Sequence, residues 1–335
     1  VLPSRELTFL DAAGISREWE QRRIRVLYDL SCGKVPVLVT TLEALQLRTI
    51  PRATLYSGAI RLMAGGSYAL EELTEKLVAA GYTRASLVEG VGQFALRGGI
   101  LDVFSPAYDQ PLRVEFFGDE LDAMGFFDPI TQRRTENCDE AVLLPTQETV
   151  PGLHPGGISG LCADLRAHIA RQNRRKTPNQ ALLRTLETDC EKLETGATFQ
   201  AADRYLALIY PDFETAANYI SKDAIVFFCD HGNLQRAARA RSEEFGQTLD
   251  VLLSSGTLAG ELCEFQAEYE PLLEQVAENG VTYFDSFLAA RYPDVLPPQR
   301  LLSVTARQLP GYGGSLETAV SDLKNYVRND YGCLV

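Results

Sequence analysis

The sequence predicts an α/β body interrupted by a smaller α+β module, and three observations carry that prediction. Strand-like and helix-like stretches alternate through residues 1–57, which implies parallel pairing. Residues 58–146 read, after a single amphipathic helix, as short alternating strands and turns. Helices then resume, with one strongly apolar run at residues 224–229. A chain of 335 residues is long enough for two or three domains.

In order, residues 7–10 read as a strand and Ser16 as the N-cap of a helix. Glu18 and Glu20 in that helix suit the positive end of its dipole. Its apolar stripe is Ile24, Leu27 and Tyr28, with Trp19 expected to anchor it. Residues 35–39 form a short apolar run that predicts a buried strand, and Leu42, Leu45 and Leu47 predict a short helix before Pro51. In the module, Leu70, Leu73, Leu77 and Val78 mark a helix stopped at Gly81. Beyond residue 147, helices are predicted at 158–169 and 182–193, separated by Pro178, and around 234–245 and 271–276. Residues 224–229 read as the most deeply buried strand. A segment from 298 holds a strand at 301–304 and a helix at 316–326, and residues 333–335 look like the start of another buried strand. The first residue, Val1, and this interrupted end suggest a piece of something longer. The predicted boundaries are therefore 1–57, 58–146, 147–297 and 298–335.

The module's strands alternate: Phe94 and Leu96 against Ala95 and Arg97, then Leu112, Val114 and Phe116 against Arg113, Glu115 and Phe117. Breaks at Gly98-Gly99, Pro106 and Gly118 make this an antiparallel sheet with one buried face. Phe117 is the misfit, because it shares the polar face with Arg113 and Glu115. An aromatic beside an arginine on a wet face is the composition of a protein-binding patch.

Net charge is −13, which excludes broad electrostatic attraction to nucleic acid. Residues 61–140 hold fourteen acidic and seven basic side chains, so the sheet is no DNA platform. Seven cysteines at irregular spacing suggest reduced thiols in a cytoplasmic protein. No run in the sequence is long and apolar enough to read as a membrane span.

Catalytic motifs fail on context. Gly90-Val91-Gly92-Gln93-Phe94-Ala95 matches GxGxxA, but a strand follows where a dinucleotide site needs a helix. No GxxxxGK[ST] loop occurs. Asp230, directly after an apolar strand, occupies the place of a magnesium-orienting acid, yet His231 follows rather than Glu. Asp230 is therefore expected to cap a helix beginning near Gly232. His154, His168 and His231 are too dispersed in sequence for a metal site, and no cofactor is expected. Arg166, Arg171, Arg174, Arg175 and Lys176 form the one basic run, read as the cationic end of a helix, with nucleic-acid phosphate contact as the alternative.

The stretches Val88-Glu89-Gly90-Val91-Gly92-Gln93-Phe94-Ala95-Leu96-Arg97-Gly98-Gly99-Ile100-Leu101-Asp102-Val103-Phe104-Ser105-Pro106 and Arg113-Val114-Glu115-Phe116-Phe117-Gly118-Asp119-Glu120 resemble the N-terminal UvrB-homology module of bacterial transcription-repair coupling factors. Residues 16–23, and Phe127-Asp128-Pro129 with Thr131-Gln132-Arg133, are similar to it as well. The resemblance implies a divided, degenerate RecA-like (P-loop NTPase-like) domain with an inserted α+β domain that binds UvrA. It implies that Arg97, Arg113 and Phe117 carry the UvrA contact and that Asp230 marks a nucleotide position without hydrolysis. RNA polymerase and DNA are expected to be met by other parts of the parent protein. UvrB shares this architecture, but it normally shows R-x-x-F-R-V-R-G-D-x-x-E-I-F-P where this chain has residues 93–104, and it keeps an Asp-Glu pair at 230–231.

Overall fold

The computed structural model describes residues 1–11, 16–197, 199–287, 291–304 and 311–332. Val1–Pro297 form one compact unit and Pro298–Val335 another. The strand expected at 333–335 lies outside the described residues.

The first unit opens irregularly. Residues 7–10 are not a strand, because side chains take their backbone groups: Thr8 N–H donates to Asp203 (2.7 Å) and Arg204 Nε donates to the Phe9 carbonyl (2.6 Å). Helix α1 (Glu18–Ser31) starts after Arg17, with no side-chain cap from Ser16. Its buried face is Glu20, Arg23, Ile24, Leu27 and Tyr28, two of the five charged. Trp19 lies off that face and is exposed, with Arg22 over its ring at 5.3 Å. Residues 35–39 likewise form no strand. Pro36 removes a ladder donor, and only the Leu2–Thr40 bridge forms there. Helix α2 (Leu42–Gln46) is capped by Thr41, which accepts from Ala44 N–H, and α3 (Arg52–Gly58) follows Pro51.

Strand β1 (Ile60–Met63) pairs antiparallel with β8 (Glu140–Leu143), bracketing the module. Between them lie α4 (Leu70–Ala79), β2 (Thr83–Arg84), β3 (Gln93–Arg97), β4 (Ile100–Val103), β5 (Leu112–Phe117), β6 (Glu120–Phe127) and β7 (Arg134–Asn137). Strands β2 to β7 form one six-stranded sheet in sequence order, antiparallel except for β2–β3. Gly98 at φ +60° makes the β3–β4 turn. A Cβ on Gly99 would stand 2.6 Å from the Phe116 carbonyl, so only glycine fits there. One face packs Phe94, Leu101, Val103, Leu112, Val114 and Met124 against Leu73 and Leu77 of α4. Val78, expected on that stripe, is exposed instead.

Beyond the module, α5 (Gly157–Asn173) and α6 (Gln180–Thr195) pack side by side on the body core with α7 (Leu206–Ile209). Asn179 caps α6 by accepting from Ala181 and Leu182 N–H, and Gly196 at φ +67° ends it. Strand β9 (Ile225–Cys229) pairs in parallel with β10 (Gly280–Phe284); α8 (His231–Ser254) and α9 (Tyr269–Val276) lie between them in sequence. β9 is a strand as expected but is not buried: Phe228 packs on Leu272 and Leu273, whereas Ile225 and Phe227 face outward. A continuous apolar run reveals a strand without revealing how many of its faces are covered.

Charges tie the body together. Glu148, fully buried, accepts from Arg23 Nε (2.5 Å) and Thr49 Oγ1, and Arg5 lies 3.6 Å away. Arg5 also donates to Glu20 and Asp203, both at 3.1 Å. Burial pushes the Glu148 carboxyl up, but Arg23 and Arg5 outweigh it and hold the carboxyl below its ordinary range. Burial dominates at Glu20 and raises it.

In the second unit, residues 301–304 are irregular rather than a strand. Helix α10 (Leu316–Arg328) forms as expected, with Ser315 accepting from Thr318 N–H. Among the described residues, no helix is long and apolar enough to cross a membrane.

Candidate functional site

The outer face of the six-stranded sheet gathers three of the four residues singled out in the sequence. Register places Asp102 on β4 directly opposite Arg113 on β5 and Ala95 on β3, so these side chains share a face. Asp102, 1% exposed, is the hub. Its Oδ1 accepts from Arg113 Nε at 2.6 Å, and its Oδ2 accepts from Arg113 Nη2 at 2.9 Å and Arg97 Nη2 at 2.5 Å. Two-pronged pairing of this kind is the strong, orienting form of a charge-assisted hydrogen bond. The bonding to Asp102 drives the Arg113 guanidinium further up from its already high pKa.

Arg113 is enclosed on its other sides. Its guanidinium lies 4.5 Å from the centre of the Phe127 ring. It also donates to the Gln132 side chain (3.1 Å) and carbonyl (3.4 Å). Gln132, at φ +60°, is held by its own N–H on the Asp128 carbonyl and its side chain on Pro129. Phe127 closes the inner end of the face with Val88, Ala95 and Phe104.

The other end of the face is open. Phe117 is 85% exposed at the end of β5, where Gly118 turns the chain at φ +63°. Ile100, opposite both Arg97 and Glu115, is partly exposed on the same side. Glu115 is bonded by Arg134 at 2.6 Å. The outer face thus grades from a sealed apolar corner, through a shared carboxylate, to a bare aromatic. Such a surface can hold another protein, and it presents no nucleophile or base pair for chemistry.

Asp230 stands elsewhere, at the C-terminal end of β9. It occupies the N-cap position of α8 in a left-handed conformation, φ 53°, but its side chain makes no cap. It accepts instead from Ser286 N–H at 3.0 Å, which lowers its carboxyl pKa. The helix N-terminus is served by Asp285, which accepts from His231 N–H and lies 2.9 Å from its Nδ1.

Two clefts, of about 430 and 860 Å³, are lined by neither Asp230 nor any residue of the sheet's outer face. From the basic run, Arg166 pairs with Glu194 and Arg175 with Glu261. Among the described residues, one trio of ligand-type side chains comes together, Cys162, Cys190 and Glu194. Burial pushes the Cys162 thiol up to about 12, as befits two thiols packed at a helix crossing.

Sequence reasoning missed Asp102 and Gln132. The available signal was strand register: an acid between Leu101 and Val103, opposite an arginine, must neutralise that arginine or remain buried without a partner.

Residues 60–148 match the family model described as the UvrB interaction domain. The sheet and its outer face therefore lie within the stretch that is similar to that domain. The whole chain is similar to transcription-repair coupling factors. It is 26% identical to that of Staphylococcus haemolyticus over 93% of this chain and 26% of the relative. It is 22% identical to that of Bacillus subtilis over 98% and 28%. With that of Myxococcus xanthus the identity is 38%, over 45% of this chain and 12% of the relative. The domain match and the similarity along the chain support its resemblance to the UvrB-homology module of these factors. The chain spans about a quarter of the length of the first two relatives.

Proposed function

We propose that this chain is a non-catalytic recruitment module that docks UvrA through the outer face of the inserted sheet. Docking there would couple the removal of stalled RNA polymerase to excision repair. The observation that carries this reading is Phe117: a phenylalanine 85% exposed beside an arginine–carboxylate cluster, on a UvrB interaction domain. An exposed aromatic costs solubility unless a partner covers it. Arg97, Arg113 and Phe117 are the docking residues in this reading, and Asp230 is the vestige of a nucleotide site without hydrolysis.

The flanking segments, 1–57 and 147–297, fit a divided RecA-like domain into which residues 58–146 are inserted, with 298–335 beginning a further domain. RNA polymerase and DNA would be engaged by parts of the longer relatives outside the matched quarter, and the protein would work in the cytoplasm. Mixing the chain with UvrA and following sedimentation velocity tests the reading. A faster-sedimenting complex is expected, and two independently sedimenting species at micromolar concentration would contradict it.

A further inference from the structure

We propose that Cys162, Cys190 and Glu194 bind a thiophilic divalent cation of the zinc class, which staples helix α5 to helix α6. The proposal is independent of the docking reading, because these residues lie outside the stretch 60–148 that matches the interaction domain.

Two helices assemble the trio. Cys190 and Glu194 are four residues apart on α6, which puts their side chains on one face. Cys162 meets them from α5, 28 positions away in sequence from Cys190. One ligand atom from each of the three comes within 4.8 Å of the other two. Cys190 Sγ stands 3.8 Å from Glu194 Oε1. In a tetrahedral zinc site, metal–ligand bonds of about 2.0–2.3 Å place sulfur and oxygen ligands about 3.5–3.8 Å apart. Side-chain shifts of about 1 Å therefore close the trio on an ion. Among the described residues, no other trio of His, Cys, Asp or Glu meets this spacing.

The surroundings suit such an ion. The hydrogen bonds of the thiols are long: Cys162 Sγ donates to the Cys190 carbonyl at 3.9 Å, and Cys190 Sγ to the Cys162 carbonyl at 4.0 Å. Sulfurs so weakly engaged keep their lone pairs for a metal. Arg166, one turn along α5 from Cys162, pairs with Glu194. Two thiolates and a carboxylate carry three negative charges, which Arg166 and a divalent ion together cancel. Each thiol releases its proton to solvent as its sulfur–metal bond forms. A neutral cluster is what a buried site requires. Both thiols belong to the buried core with Leu161, Leu165, Leu186 and Leu193, whereas the Glu194 side chain is 40% exposed. The ion therefore enters from the Glu194 side, where its fourth position is left for water. Two sulfur ligands select a zinc-class ion over magnesium or calcium.

The test titrates cobalt(II), a spectroscopic stand-in for zinc, into the reduced, metal-stripped full chain. One equivalent should produce a sulfur-to-cobalt charge-transfer band and the strong visible bands of tetrahedral cobalt, and zinc should abolish both. Saturating zinc should also raise the Tm by about 3 °C or more. Cys162→Ala and Cys190→Ala should each lose the bands, whereas Cys263→Ala should keep them. Glu194→Gln changes an exposed ligand, so its Tm without metal should stay within about 2 °C of wild type. Its cobalt affinity should fall about tenfold or more. That variant decides the question if an alanine protein does not fold. Absence of the charge-transfer band in the wild-type chain, its survival in Cys162→Ala, or unchanged affinity in Glu194→Gln would each overturn the site.

Discussion

The α/β body and the inserted sheet both bury a carboxylate between two arginines, Glu148 in the one and Asp102 in the other, and they use it differently. In the body, Glu148 is flanked by Arg23 and Arg5, all three buried and walled in by Thr49, Glu20 and Asp203. In the sheet, Asp102 is as deeply buried as Glu148, but its arginines climb outward, with side chains 21% exposed at Arg113 and 51% at Arg97. The first arrangement joins segments far apart in the chain, with Arg23 and Glu148 separated by 125 residues. The second can reach another molecule. The same chemistry serves folding where the cations are sealed and recognition where one of them stays wet.

Glu148→Ala should have the largest effect on stability. It leaves Arg23 buried without its carboxylate, which costs about 3–5 kcal/mol and a Tm lower by roughly 10 °C. A thermal melt checks this, and a loss under about 1 kcal/mol would show that water reaches the cluster. Phe117→Ala comes next, on binding alone. Truncating a central aromatic costs about 2 kcal/mol, so UvrA affinity should fall at least tenfold while the Tm holds.

Acid should act on the body cluster more gently. Because the folded carboxyl of Glu148 titrates below its ordinary 4.5, its contribution is fully present above that pH and is lost as pH falls through the folded value. Glu20, raised by burial, has the opposite sign and is relieved first on acidification. Urea midpoints should therefore not fall between neutral pH and about pH 4.5, where protonation of Glu20 adds stability, and should drop below it, and Glu148→Gln should flatten that drop. The smallest effect belongs to Arg134→Ala, which removes a surface pair with Glu115 worth about 0–1 kcal/mol. A larger loss of stability there would mean that the edge strand β7 holds the sheet together.

Much of the inserted sheet was legible in the sequence. Its alternation, its glycine turns and the outward Phe117 all follow from a period of two and from sterics. Asp102 was not legible, because its role depends on register across three strands rather than on its neighbours in the chain. The body was less legible for a related reason. The buried face of α1 includes Glu20 and Arg23, so a search for apolar stripes gave Trp19 an anchoring role that belongs to an ion cluster. Residues 7–10 looked like a strand because nothing local announces that Asp203 and Arg204, almost two hundred residues away, take up their backbone groups. Asp230 was expected to cap a helix; it stands at the N-cap position of α8, but its side chain does not cap and bonds Ser286 instead, again a long-range partner.

The most direct measurement of the central claim is a calorimetric titration of UvrA with the wild-type chain and with Phe117→Ala, each checked by thermal melt. The account predicts wild-type binding that falls at least tenfold in a variant with unchanged Tm. Equal affinity for both chains, or a Phe117→Ala protein that melts roughly 10 °C lower, would contradict it.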